Sequence, residues 1–225
     1  MNPHSACSIL NRLFFHGVGE GHFYAAQTHS VSETGNVRKL KPSASIGMLT
    51  NGGVTAAEYV KILEDGAYSV VFQDGAIAYI ECTFHGNTLD SYRFFYIPSP
   101  FDTEHIVELP SDIPLADWLR MVLEDRGALC LKSVGALRFD CVRGLPADVH
   151  EPHPVSHLTM ITGDCRIPIR GPLQISAFLH FIFDNFQRSA RPCWLQFSSY
   201  LAFDTSEVTI TPEESAVFHI NWESL

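Results

Sequence analysis

Lysine is scarce in this chain, and after Lys61 only Lys132 remains. With 15 Lys and Arg against 25 Asp and Glu, the formal net charge is -10. A field of that sign repels phosphate backbones, so bulk charge gives no non-specific grip on nucleic acid and leaves room only for a local basic site. Positive charge in the last two thirds is carried almost wholly by arginine, whose planar fork holds carboxylates and phosphates bidentately. No apolar run approaches the 18 residues of a membrane span, and Met1 to Phe15 lack the basic start and apolar run of a secretory signal. The six cysteines contain no Cys-x-x-Cys pair and are widely spread in a chain too large to need staples. Free thiols in a reducing cytoplasm are the expectation.

Several familiar constellations are also missing. There is no P-loop, no Rossmann glycine pattern after a strand, no nucleophile elbow and no His-Glu-x-x-His. Gly17, Gly19 and Gly21 lack the preceding strand and the spacing of a phosphate loop, and read as a flexible turn.

What is present is the composition of an ordered globular protein, 46% hydrophobic and 18% charged over 225 residues. The reading is one α+β domain spanning residues 1–225, with 1–53 an N-terminal extension or lead-in. Its architecture is an antiparallel, strongly twisted sheet with three main helices packed on it. Thr55 followed by Glu58, with Val54 and Tyr59 placed as a staple, predicts a helix from Ala56 to about Asp65 that Gly66 closes. Aromatic and β-branched runs split by Asp74-Gly75 and Gly86-Asn87 predict a three-stranded meander from Tyr68 to Ile97, ended by Pro98 and Pro100. Helices are expected at Leu115 to Arg126 and Ser176 to Phe186, and strands at Ala136 to Arg143 and His157 to Thr162. Further strands are expected at Trp194 to Leu201, Val208 to Thr211 and Ala216 to Trp222.

Residues 138–170 are the densest in chemistry, with His150, His153 and His157, the acids Asp140, Asp148 and Glu151, and Arg138, Arg143, Arg166 and Arg170. Imidazole titrates near neutrality, a carboxylate fixes its tautomer, and arginine stabilises developing negative charge. His157 is therefore the candidate acid/base and Asp140 its orienter, while Arg138, Arg166 and His153 are candidate substrate-binding groups. If the two strands of this segment are neighbours, alternation pairs Arg138 with Asp140 on one face and His157 with Thr159 on one face; the register decides whether the faces coincide. The bland alternative is a hydrogen-bonded structural histidine.

Three histidines also suggest a metal. Pro152 and Pro154 preclude a helix there, however, and in an extended strand His153 and His157 lie about 13 Å apart, so no metal site and no cofactor is assigned. Cys141 and Cys165 read as inert thiols rather than nucleophiles beside His157. The aromatic run Tyr92, Phe94, Phe95 and Tyr96, with only Arg93 as a basic neighbour, reads as core rather than as a base-stacking platform.

In this segment the chain resembles a bacterial family known as a domain of unknown function. The resemblance rests on Arg138-Phe139-Asp140, on His153-Pro154-Val155-Ser156-His157-Leu158, on Cys165-Arg166-Ile167-Pro168, and on Gly171-Pro172-Leu173 leading into the Phe178 to Phe186 helix. It runs mainly over residues 136–187. Relatives tend to carry a second histidine after the His-Leu pair, where this chain has Thr159, which argues against a two-histidine mechanism. The resemblance implies a bacterial, intracellular protein and brings no established activity.

Two functional readings follow. The lead is a small enzyme or enzyme-like subunit acting on a phosphate-containing substrate, with local nucleic-acid contact as one form of it. The alternative is a non-catalytic protein-interaction module, or an accessory subunit of a bacterial conflict or regulatory system with a protein partner. No membrane association is expected.

Overall fold

The computed structural model describes residues 2–46, 54–132, 135–143, 154–160, 165–201 and 207–221. The chain opens with α1 (Pro3–Gly19), where the Asn2 side chain accepts the His4 amide and Pro3 occupies the first turn. Ala6, Leu10, Leu13 and Phe14 form its buried stripe. The expected glycine turn is mostly the end of this helix: Gly17 and Gly19 are helical, and only Gly21, at φ 71°, is in a turn. Gly17 is there for contact, since a Cβ on it would lie 2.1 Å from the Phe23 ring.

After α1 come β1 (Phe23–Ala26), β2 (His29–Thr34) and β3 (Val37–Pro42). These strands join the same sheet as the rest of the chain, and α1 packs into its core. Next, α2 (Ala56–Glu64) carries the expected capping box in full: Thr55 accepts the Glu58 amide and Glu58 accepts the Thr55 amide. Gly66 follows at φ 64°.

The meander appears as β4 (Val70–Phe72), β5 (Ile77–His85) and β6 (Thr88–Ile97), antiparallel throughout. Gly75 and Gly86 provide the positive φ at its two turns. The short α3 (Thr103–Val107) leads to α4 (Leu115–Arg126), whose Leu115, Leu119 and Val122 are buried and which Gly127 ends at φ 56°. Then follow β7 (Leu137–Cys141), β8 (Ser156–Met160), β9 (Arg166–Pro168) and α5 (Ile175–Asn185).

Among the described residues, the strands expected near the C-terminus are not formed. Trp194 lies in α6 (Arg191–Leu195), Ser198–Tyr200 is a 3-10 turn, and Pro212–Ser215 is a single helical turn, α7. Pro192 starts the first of these and a Thr211–Glu214 capping box the last, local signals that prevail over aromatic and β-branched content. Trp194 is stacked on Phe183 at 5.7 Å, buried against a helix rather than lying in a sheet. The described part of the last segment meets the sheet through a parallel bridge from Ile169 to Ile220 and through the Thr209 hydroxyl, which donates to Ser156 Oγ.

The described residues form one nine-stranded sheet in the order β1-β4-β5-β6-β7-β8-β9; β3 pairs with the far end of β5, and β2 with β3. Helices cover both faces. On one, α1, α5 and α6 share a core with Phe94 and Phe139; on the other, α2, α3 and α4 share a core with Tyr79 and Phe95. α1 is thus a long helix beyond the three expected. No described helix is long and apolar enough to cross a membrane.

Candidate functional site

Strand alternation sends Phe94, Phe139 and Leu158 to the α5 side of the sheet, which leaves their sequence neighbours on the opposite face. The registers resolve what the sequence leaves open. Arg93, Asp140, His157 and Pro168 form one cross-strand row over β6 to β9. The adjacent row is Phe95, Arg138, Thr159 and Arg166. Four of the five expected site residues, Asp140, His157, Arg138 and Arg166, therefore share one face; His153 lies outside the described residues.

Asp140 is the centre of this arrangement. Arg138 Nε lies 2.5 Å from its Oδ2, Arg93 Nε 3.4 Å from its Oδ1, and His157 Nε2 3.7 Å from its Oδ2. The carboxylate is buried, which makes two guanidinium neighbours a physical requirement as much as a functional option. The arginines reach outward to different extents: the Arg93 side chain is 46% exposed and that of Arg138 14%. Beyond Arg93, Glu81 of β5 lies 3.6 Å from Lys39 and accepts the Tyr79 hydroxyl.

His157 is 1% exposed, and its Nδ1 is 3.0 Å from the Pro154 carbonyl. A carbonyl only accepts, so Nδ1 carries a proton and Nε2 is the nitrogen turned toward Asp140. Thr159 is equally buried, and its hydroxyl has no hydrogen-bond partner among the described residues. It stands in register between Arg138 and Arg166, as a polar atom that a bound anion would satisfy.

Two further arginines of the segment pair elsewhere. Arg143 holds Glu207 through both terminal nitrogens, and Arg170 donates to Asn221 at 3.3 Å. Cys141 is on the face opposite Asp140, and burial pushes its thiol pKa up, both unsuited to a nucleophile beside His157. Arg93 is the residue that sequence reasoning passed over. Its signal was alternation: within an aromatic strand it falls on the face away from Tyr92 and Phe94. The described residues with metal-ligand geometry, Asp102, Glu104 and His105, lie at the start of α3 rather than on these strands.

The class defined by this fold and face is an α+β protein with a single antiparallel sheet, carrying arginines around a buried carboxylate. The chain matches the family described as "Uncharacterized conserved protein (DUF2290)" over residues 22–222 and belongs to it. That match extends the similarity from residues 136–187 back to β1. No curated protein and no solved structure matches the chain.

Proposed function

We propose that this protein is a small enzyme or enzyme-like subunit, bacterial and cytoplasmic, that acts on a phosphate-containing substrate held on the β6 to β9 face. The observation that carries this reading is the row Arg138, Thr159, Arg166, in which a buried hydroxyl with no hydrogen-bond partner among the described residues stands between two arginines in a protein of net charge -10. Arg138 and Arg166 hold the anion with Arg93 beside them, and His153 is a further substrate-binding candidate. His157, its Nδ1 tied to the backbone, is the acid/base through Nε2, and Asp140 orients it. Six free cysteines, four of them buried, suit a reducing compartment.

The test is affinity and cleavage of labelled RNA and DNA by untagged protein. Arg166→Ala is expected to weaken binding by about tenfold or more, the loss of one charge-assisted contact. His157→Ala is expected to abolish cleavage with folding intact. Activity retained in both variants refutes the assignment.

The burial of His157 and Asp140 favours a second reading, a non-catalytic protein-interaction module or an accessory subunit of a bacterial conflict or regulatory system. Here the Asp140 network serves as a structural support, and the exposed apolar side chains Leu195, Tyr200, Val217 and Phe218 provide contact surface. A stoichiometric protein partner, with no binding of RNA or DNA, selects this reading.

A further inference from the structure

The start of α3 gathers a second set of chemistry-bearing side chains. Asp102, Glu104 and His105 each offer a ligand atom, and these atoms lie within 4.8 Å of one another. Asp102 occupies the N-cap position, yet its carboxylate makes no capping hydrogen bond. His105 is 1% exposed, and its two ring nitrogens face different acids: Nε2 is 3.7 Å from Glu104 Oε1 and Nδ1 is 4.0 Å from Glu108 Oε2. Nδ1 is buried with no hydrogen-bond partner among the described residues. A buried imidazole aimed at carboxylates but bonded to neither is an unmet group.

A simple ion pair would draw one carboxylate into hydrogen-bond contact. Ligands about 2.1 Å from a shared tetrahedral ion stand about 3.4 Å apart, close to the 3.7 Å separating Nε2 and Glu104. A metal-bound histidine also typically donates its second ring N–H to a carboxylate, the position that Glu108 occupies relative to Nδ1. The backbone here is anchored: Trp118 Nε1 donates to the His105 carbonyl at 2.7 Å, and Ile106 is buried in the core. Glu104 and Glu108 are exposed, so their carboxylates can close on an ion without refolding.

We propose that Asp102, Glu104 and His105 bind a divalent first-row transition ion such as Zn2+, with Glu108 as the positioning residue that orients the imidazole. One imidazole and two carboxylates leave a fourth position for water, and the nitrogen donor disfavours Mg2+ and Ca2+. The ion would fasten α3, the link between the end of the meander and α4, and bind only the folded chain.

The experiment is Zn2+ titration calorimetry with thermal melts on untagged full-length protein, using Mg2+ as the control ion. One Zn2+ per chain with a raised Tm is expected. Glu104→Gln, at an exposed position that leaves the core intact, should weaken Zn2+ about a hundredfold, and Glu108→Gln about tenfold. No Zn2+ binding by the wild type, equal binding by Glu104→Gln, or Mg2+ binding as tight as Zn2+ would each overturn the proposal.

Discussion

Asp140 stands directly opposite His157 in the β7–β8 ladder, its Oδ2 3.7 Å from the imidazole Nε2 and 2.5 Å from Arg138 Nε. One buried carboxylate thus joins groups from three adjacent strands, since Arg93 reaches its other oxygen from β6. In the proposed function, the acid/base group His157 and the anion-binding group Arg138 thereby meet at a single side chain.

Asp140→Asn tests that coupling. The substitution keeps the shape but removes the charge, leaving the Arg93 and Arg138 guanidiniums near each other without their shared counter-charge. A loss of about 2 to 3 kcal/mol is expected, below the range for fully buried pairs because Arg93 is half exposed. Urea denaturation measures it, and a change below about 0.5 kcal/mol would show that the network contributes nothing to folding.

Stability should depend on pH through His29. This β2 residue is buried beside Phe14, its Nε2 is 2.9 Å from Ser69 Oγ, and burial lowers its pKa to about 4. An unfolded imidazole protonates near pH 6.5, so between 6.5 and 4 the unfolded chain binds more protons and stability falls as pH falls. The contribution is present above pH 6.5, and about 3 kcal/mol is lost by pH 4. His29→Gln cannot titrate and should flatten the curve in this window. Parallel curves for wild type and variant, from urea midpoints at several pH values, would remove His29 as the cause.

Two glycines of α1 should respond oppositely to alanine. Gly17→Ala places a methyl 2.1 Å from the Phe23 ring, an overpacking expected to cost about 1 to 3 kcal/mol. Gly19→Ala meets nothing within 4 Å and should be neutral or stabilise by up to about 1 kcal/mol. Thermal melts of the two variants separate the effects; equal Tm values would contradict the close packing of α1 on β1.

Legibility in the sequence tracked how local the signal was. The bounds of α2 and α4 follow from a capping box and from Gly127, and the meander from two glycine turns, all within a few residues of the element they define. α1 escaped because two glycines near its end suggest a turn, whereas Gly17 serves a contact with Phe23 from the next strand. Trp194 was misread because its aromatic character suits a strand as well as a helix face, and its contact with Phe183 is made across the fold.

The same division holds at the candidate site. The sequence by itself determined that histidine, acid and arginine are concentrated between residues 138 and 170, and that Asp140 and Arg138 share a face, because side chains alternate along any strand. Only the tertiary structure decided that His157 faces Asp140, that Thr159 stands between Arg138 and Arg166, and that Arg93 joins them from a strand some forty residues earlier. The physical reason is register: a one-residue slip would turn every side chain of β8 to the other face, and register is set by how the apolar side chains pack under α5, not by local sequence.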